Sequence, residues 1–247
     1  MPTDDPYYRR DLARIHHEGF AFHAEMCAPG VLALLEPIRQ RRGLVVEIGC
    51  GSGLLTRHLV EAGHRVIATD ASPAMLDLAR SVAPDAEEIR RLTLPDDPIP
   101  DADAVVGVGH ALNYLPDLAS IERSLASIAR ALRPDGVLAL DLCDLTYVEA
   151  RRDGSSRGWA EDDWALVTRF ETPSPDRLIR QMAMFVREED GSWRRDDERH
   201  ENVLVDTSRV PGILREQGVD ATIAPSFGDE VFPDGLVAVI GRRTTGR

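Results

Sequence analysis

The sequence contains no lysine: all 29 basic residues in this chain of 247 are arginine. Without a lysine amine, no enzyme that forms a Schiff base can work, whether or not it uses pyridoxal phosphate. The same absence excludes a Walker A loop, which ends in Gly-Lys-Ser or Gly-Lys-Thr, and a protein kinase, which needs a lysine to pair with ATP. Composition alone therefore excludes covalent-amine and phosphate-loop mechanisms.

Positive charge is scarce as a whole. The 29 arginines face 42 aspartates and glutamates, which gives a formal net charge of −13. A protein that binds duplex nucleic acid usually carries a basic surface that matches the phosphates. The composition therefore predicts no nucleic-acid partner.

Cysteines and long apolar runs are scarce too. Cys27, Cys50 and Cys143 lie far apart and form no C-x-x-C pair, which fits a reduced interior better than a disulfide framework. No apolar run approaches the roughly 20 residues that span a bilayer, and the acidic N-terminal residues do not resemble a signal peptide. We therefore expect a cytoplasmic location and no membrane partner.

What the sequence does have is an alternation of apolar strands and helices. Strands are predicted at 44–48, 66–69, 86–92, 104–108 and 137–142, and helices between them at 54–62, 72–82 and 118–132. Strands that alternate with helices of about ten residues indicate βαβ units and a parallel sheet covered on both faces.

The pattern changes after Asp144. Antiparallel strands separated by turn residues are predicted at 164–171, 178–187 and 193–205, followed by a helix at 208–217 and strands at 219–224 and 236–240. The chain as a whole predicts a single α/β domain. We expect a Rossmann-like, doubly wound, mostly parallel seven-stranded sheet with a small antiparallel β insertion.

A glycine cluster joins the first strand to the helix that follows it, with the sequence Glu47-Ile48-Gly49-Cys50-Gly51-Ser52-Gly53. Such a loop lets the backbone approach a ligand closely and points helix N–H groups toward it. A dinucleotide fingerprint needs its third glycine where Leu54 stands. An NAD-dependent oxidoreductase therefore fits poorly and is kept as the weakest alternative.

This run, together with Asp70 at the end of the second strand, resembles the class I S-adenosylmethionine (SAM)-dependent methyltransferases of the small-molecule type. Three further motifs fit that family at the expected separations: Leu94-Pro95, Leu112-Asn113-Tyr114-Leu115 and Leu132-Arg133-Pro134-Asp135-Gly136. The resemblance covers most of the chain and implies SAM as the cofactor.

The resemblance assigns cofactor contacts position by position. Glu47 would face the ammonium of SAM, Asp70 would accept the ribose hydroxyls, and Thr93 or a backbone carbonyl would replace the aspartate that many relatives offer to the adenine. The residues expected to bind the cofactor are Glu47, Gly49, Cys50, Gly51, Gly53, Asp70, Ala71, Met75, Thr93, Leu94 and Gly109.

The resemblance also divides the single domain, residues 1–247. Residues 1–42 would form an N-terminal helical lid, with helices predicted over Asp5–Met26 and Val31–Arg41 on either side of Pro29 and Gly30. The remaining parts would be the cofactor-binding core (43–144), the antiparallel insertion that walls the substrate (145–206) and the C-terminal part of the core sheet (207–247).

Methyl transfer from a sulfonium is an in-line displacement that depends mainly on positioning, with a general base where the nucleophile carries a proton. With no lysine available, histidine is our first choice for that base. The catalytic candidates are His16 on the lid, His110 after the fourth core strand and His200 in the insertion. For His16 and His200, a solvated helix or sheet face is the structural alternative.

Other side chains are candidates for binding the acceptor. Asn113 and Tyr114 share the loop of His110, whereas Trp164, Arg180 and Met184 belong to the insertion. Arg180 and Arg14 are the candidates for binding a carboxylate or phosphate of the acceptor, because arginine holds such groups with two hydrogen bonds.

The sequence therefore predicts a SAM-dependent methyltransferase that acts on an oxygen or nitrogen of a small organic molecule, by analogy one of secondary metabolism. We expect no metal, because no set of residues has metal-ligand spacing. A SAM-binding protein of the same fold with a regulatory or other non-methylating role is the main alternative. Monomer and homodimer both stay open.

Overall fold

The computed structural model describes residues 7–151 and 156–244. The strands in chain order are β1 (Leu44–Ile48), β2 (Arg65–Asp70), β3 (Glu88–Arg91), β4 (Ala102–Gly107), β5 (Leu132–Cys143), β6 (Ser156–Ala160), β7 (Trp164–Ser174), β8 (Arg177–Arg187), β9 (Trp193–Val203), β10 (Val219–Ala224) and β11 (Leu236–Arg243). The α-helices are α1 (Arg10–Gly19), α2 (Phe22–Gln40), α3 (Leu54–Glu61), α4 (Pro73–Val82), α5 (Leu118–Ala131) and α6 (Val210–Glu216). Within these ranges, none of the helices has the length and apolar character needed to cross a membrane.

Seven strands form the main sheet, in the order β10-β11-β5-β4-β1-β2-β3. The pairs among β1 to β5 are parallel, whereas β11 runs antiparallel to β5 and β10 antiparallel to β11. The predicted Rossmann-like, mostly parallel seven-stranded sheet is confirmed. Because the strand order reverses between β1 and β4, the loops that follow these two strands diverge and open a crevice at the carboxyl ends of the strands.

The two faces of the sheet carry separate cores because successive strand residues point to opposite faces. Val45 packs with Leu35 of α2 on one face, and its neighbour Val46 packs with Leu125 of α5 on the other. All five residues of β1 are buried. The continuous apolar runs of the central strands follow from this double coverage.

A second, antiparallel sheet has the order β6-β7-β8-β9. Its last three strands are those predicted after Asp144, but β6 (Ser156–Ala160) lies in a segment with no strand pattern. All five of its residues are exposed, so no alternation of buried and exposed positions marks it in the sequence. Pairing with β7 creates this edge strand.

The N-terminal helices differ from the prediction. Helix α2 runs without a break through Pro29, and the interruption falls at Phe20–Ala21 instead. Gly30 is buried against the chain at Gly228, where a Cβ on Gly30 would come within 2.8 Å of the Gly228 nitrogen. Tertiary packing of α2 therefore overrides the local signal of the Pro-Gly pair. The predicted start of the first helix at Asp5 lies outside the described residues.

Helix α1 packs on the second sheet through an apolar cluster of its own. Leu12 and Ile15 of α1 meet Trp164 and Met184, together with three further apolar residues of β7 and β8. Gly19 leaves room for the indole, since a Cβ there would lie 2.8 Å from Cη2 of Trp164. Trp164 and Met184, expected to contact the acceptor, are therefore buried beneath α1, and this expectation is corrected.

Charged groups reinforce the same interface. Glu198 of β9 accepts hydrogen bonds from the backbone N–H groups of Tyr8 and Arg9 at 2.9 and 2.8 Å, at the amino end of α1. A carboxylate at this position complements the helix dipole. In the first turn of α1, Asp11 forms a two-pronged ion pair with Arg194, at 2.6 and 2.9 Å.

Replacing Met184 by alanine tests the interface between α1 and the second sheet. Met184 is fully buried, so its truncation should lower the free energy of unfolding by about 2–5 kcal/mol through lost contacts and the cavity left behind. Denaturant unfolding measures this, with Val167→Ala on exposed β7 surface as the control. A loss no larger than that of the control would show that α1 is not held by this cluster.

Candidate active site

A cavity of about 850 Å³ opens at the carboxyl ends of β1, β2 and β4. Its walls are the loops that follow these strands, helix α1 and one face of the second sheet. Small-molecule sites typically measure ~300–1,000 Å³, so this cavity has room for more than one small ligand.

The glycine loop forms the floor of the cavity. Gly49 has φ +66°, and a Cβ on it would lie 2.5 Å from the Cβ of Ala111, so only glycine allows the loop to pass under the segment after β4. Gly51 has φ +54° and no atom within 4 Å of the Cβ position, which leaves its backbone open to a ligand. Cys50 also lines the cavity. Gly53 does not line it but lets α3 approach Ala79 of α4.

Asp70 ends β2 beside this loop. One of its carboxylate oxygens accepts the N–H of Gly51 at 2.9 Å, and the other accepts the N–H of Ser72 at 2.8 Å. Burial raises the pKa of Asp70, and the two backbone N–H groups act in the opposite direction. Each oxygen keeps a further acceptor site for a hydroxyl group in the cavity.

Glu47 is the second acid at this end. Its side chain is buried, and it accepts a hydrogen bond from Oγ1 of Thr56 at 2.6 Å. Burial raises the pKa of Glu47 to about 8. In the described part of the chain, this carboxylate makes no ion pair, so a cationic ligand group would satisfy it.

The side wall at the ends of β2 and β3 is built by residues that follow these two strands. Ala71 and Met75 come from the region after β2, whereas Thr93 and Leu94 follow β3, and all four line the cavity. The backbone N–H of Thr93 is held by the carboxylate of Asp97 at 2.7 Å.

The loop after β4 forms the opposite end of the cavity. The N–H groups of Gly109 and His110 donate to the two oxygens of Asp141, at 2.8 and 2.6 Å. His23 of α2 shares this carboxylate at 2.8 Å and also lines the cavity. Sequence reasoning missed His23 as a cavity residue and Asp141 as its partner, although an aspartate inside the apolar run 137–142 is a usable signal.

Three histidines cluster at this end, and all three are neutral at pH 7. Burial lowers the pKa of His16 to about 4, that of His110 to about 3 and that of His200 to about 4, and the charge of Arg180 acts in the same direction. His16 and His110 line the cavity. His200 lies one layer behind, with its Nε2 at 2.7 Å from the carboxylate of Glu198.

Two tyrosines and an arginine complete the cluster. The hydroxyls of Tyr8 and Tyr114 lie 2.7 Å apart, and Arg180 donates a hydrogen bond to Tyr114. The ring of Tyr114 also stacks on His110, with centroids 5.5 Å apart. Tyr7 and Tyr8, absent from the sequence-based candidates, precede α1 and come close only because the helix docks here; no local motif marks them.

The comparisons with known proteins agree with this geometry. Residues 46–140 match the family model of a methyltransferase domain. The chain is 33% identical over 152 residues to an uncharacterised methyltransferase of Mycobacterium tuberculosis, which covers 61% of this chain and 56% of that protein. The chain thus spans about half the length of the curated relatives that it matches first.

Solved structures share the whole fold. A SAM-dependent methyltransferase from Clostridium acetobutylicum superposes with a TM-score of 0.77 at 14% identity, over 95% of this chain and 98% of that one. A sugar N-methyltransferase from Streptoalloteichus sp. gives 0.75 at 21% identity, over 99% and 96%. Residues 46–140 therefore match a methyltransferase domain, and the chain as a whole has the fold of these solved structures. The resemblance stated from the sequence motifs is confirmed, and the NAD-dependent oxidoreductase alternative finds no support.

Two expected acceptor contacts lie outside the cavity. The side-chain amide of Asn113 is hydrogen-bonded to backbone atoms. Its Nδ2 donates to the carbonyls of Val203 and Cys143 at 2.6 and 3.2 Å, and its Oδ1 accepts the N–H of Cys143 at 2.9 Å. It therefore ties the segment after β4 to β5 and β9.

Arg14 lies on the outer side of α1, where it pairs with Glu18 at 2.8 Å and with Asp163. Its guanidinium is engaged at the surface and does not reach the cavity, so the expectation for Arg14 is corrected. Among residues 7–151 and 156–244, no group of three His, Cys, Asp or Glu side chains could hold a metal ion.

The neutral histidines make the stability of the folded protein depend on pH. In the unfolded chain each binds a proton below about pH 6.5, whereas in the folded protein they stay neutral down to about pH 3–4. Stability is therefore lost as pH falls through this window, by about 1.4 kcal/mol per pH unit for each histidine. His110→Gln should reduce the slope between pH 6 and 5 by that amount in denaturant titrations.

His58→Gln, on the surface of α3, controls for the loss of an imidazole outside the cavity. An unchanged slope in His110→Gln would mean that His110 is as exposed to water in the folded protein as in the unfolded chain.

Proposed function

We propose that this protein transfers a methyl group from SAM to a nitrogen or oxygen of a small organic molecule. The observation that carries the proposal is the continuity of the cavity, which joins the acids of the glycine-loop end to the histidine, tyrosine and arginine cluster. In this proposal, residues 1–42 act as the lid and residues 145–206 as the acceptor wall. SAM supplies an electrophilic methyl group on its sulfonium.

The glycine-loop end fits SAM in its chemistry. Glu47 is a buried carboxylate without an ion pair among the described residues, and it would hold the ammonium group. Asp70 would accept the ribose hydroxyls, and the open backbone at Gly51 would lie against the methionine portion. Ala71, Met75, Thr93 and Leu94 would surround the adenine, and Gly109 would border the methyl-donor end.

The acceptor end favours nitrogen over oxygen. Imidazoles with a pKa of about 3–4, as for His16 and His110, are too weak to remove a proton from a hydroxyl at neutral pH. A neutral amine needs no prior deprotonation, because its lone pair attacks directly. The positive charge of Arg180 further disfavours the ammonium form of such an amine. His16 and His110 would then accept N–H hydrogen bonds and orient the lone pair.

Two further observations support a small acceptor. The cavity is walled by the insertion and α1, and a solved structure of the same fold is a sugar N-methyltransferase. The excess of acidic residues disfavours a nucleic-acid substrate. A role in secondary metabolism is part of this proposal by analogy of fold alone.

Binding of the cofactor should release a proton. With its pKa at about 8, Glu47 is mostly protonated at pH 7, and an ammonium group beside it favours the carboxylate. Affinity for SAM should therefore rise with pH up to about 8. Calorimetry at pH 7 in buffers of different ionisation enthalpy should show release of about one proton by the native protein.

Glu47→Gln removes the titrating group but keeps an acceptor for Thr56. This variant should bind SAM more weakly and release no proton from this position. Equal proton release by both proteins would place the ammonium elsewhere, and no binding at all by the native protein would remove the cofactor proposal.

Turnover tests the transfer itself. Formation of S-adenosylhomocysteine across a panel of small amines and hydroxy compounds should be detected, with amines preferred. His110→Ala should lower kcat/KM by about 10-fold, the worth of a lost hydrogen bond of ~1.4 kcal/mol, while calorimetric affinity for S-adenosylhomocysteine stays within about twofold.

His58→Ala is the surface control for this experiment. Full turnover by both His16→Ala and His110→Ala would exclude these two histidines from the reaction. Tight S-adenosylhomocysteine binding without turnover on any acceptor would favour the non-methylating alternative.

A further inference from the structure

We propose that the acceptor carries an anionic group, a carboxylate or a phosphate, and that Arg180 binds this group. The inference rests on the proposed methyl transfer and names the chemical class of its acceptor.

The charge of Arg180 has no counter-ion in the described part of the chain. Arg180 projects from β8 into the cavity, where its guanidinium donates to the hydroxyl of Tyr114 and lies 5.4 Å from that ring. Within residues 7–151 and 156–244, no carboxylate lies within 4.0 Å of it. By contrast, Arg194 of the neighbouring strand pairs with Asp11. A shielded cation without a partner is costly, so a ligand that supplies a negative charge would be strongly favoured.

Unpartnered polar atoms converge on the same place. Nε of Arg180, Nδ2 of Asn202 and the Nδ1 atoms of His110 and His200 are buried and have no hydrogen-bond partner among the described residues. Arg180 faces His200 across the β8–β9 pair, and Asn202 lies two residues further along β9 on the same face. Buried polar groups are normally hydrogen-bonded, so the members that line the cavity, Arg180, Asn202 and His110, offer atoms for a polar ligand.

The chemistry of these atoms fits two parts of one acceptor. Nε of Arg180 and Nδ2 of Asn202 are N–H donors, suited to the oxygens of an anion. His110 lines the cavity, and a neutral imidazole has one acceptor nitrogen. An acceptor with an anionic group and a nearby N–H or O–H would satisfy both kinds of atom.

Two acids at this end of the cavity, Glu198 and Asp141, do not form an ion pair with Arg180. Glu198 is held by the N–H groups of Tyr8 and Arg9, and Asp141 by those of Gly109 and His110. Burial keeps the histidines neutral and holds the phenol of Tyr114 protonated by raising its pKa.

A second arginine lies on the same face of the insertion sheet. Arg157 of β6 lines the cavity, and its guanidinium lies 5.6 Å from the ring centroid of Phe170. Phe170 in turn faces Arg180 across the β7–β8 pair. Of the arginines that line the cavity, Arg157 and Arg180 lie at this end, whereas Arg91 lies beside Asp70. An anionic group of the acceptor would therefore meet two arginines at the end away from Glu47.

The experiment compares matched acceptors with matched variants. Methyl transfer from SAM is measured for amino acids against their methyl esters, and for phosphorylated amino alcohols against the free alcohols. These two pairs distinguish a carboxylate from a phosphate. The proteins are the native chain, Arg180→Gln, Arg180→Lys and the control Arg187→Gln, an exposed arginine on the same strand.

The native protein should prefer the anionic member of one pair. Arg180→Gln should lower kcat/KM for that member by about 30-fold or more, the loss expected when a buried charge pair is broken, and leave the neutral member much less affected. Arg180→Lys should recover part of the loss, and Arg187→Gln should match the native protein. A preference for neutral acceptors, or equal losses on both members, would overturn the inference.

A binding arm separates this inference from the proposed function. With S-adenosylhomocysteine bound, acetate or inorganic phosphate should raise the melting temperature of the native protein in a saturable manner, and chloride at equal ionic strength should not. Arg180→Gln should lose this response while its calorimetric affinity for S-adenosylhomocysteine is retained. Anion binding without turnover would contradict the proposed methyl transfer but not the role of Arg180. An equal response of the native protein and Arg180→Gln to the anion would contradict the role of Arg180.

Discussion

The carboxylate of Asp141 places the acceptor end of the cavity. It is buried within β5, and its two oxygens hold the backbone N–H groups of Gly109 and His110. Both of these residues have positive φ, +100° and +49°, which is strained for the histidine. The two hydrogen bonds offset that strain. The imidazole of His110 is thereby held beside Tyr114.

A second set of charged residues determines which element covers this end of the cavity. Strand β9 is dense in charge, which from the sequence alone suggests a solvated sheet face. In the structure its inward acid, Glu198, caps α1, and Arg194 holds Asp11 with two hydrogen bonds. A planar guanidinium makes such two-pronged contacts, whereas a lysine ammonium does not. In a chain without lysine, arginine therefore supplies both the ion pair that attaches α1 and the positive charge inside the cavity.

Much of the fold and the glycine-loop end of the site was predictable because their signals are local. The apolar runs mark the central strands, and the run from Glu47 to Gly53 is one continuous stretch with Asp70 one βα unit later. The acceptor end was predictable only in part. His16, His110 and Arg180 line the cavity, whereas Asn113 serves the backbone and Met184 lies beneath α1.

The sequence by itself determined the class of fold, the strands of the main sheet and the loop on which the cofactor proposal rests. The periodicity of apolar residues, the turn residues and the motif spacing are properties of short stretches, so one sequence is enough to recognise them. Only the tertiary structure decided which side chains face the cavity. Tyr8, Asp141 and Arg180 are far apart in the chain, and they form one site because α1, β5 and β8 pack around the same crevice.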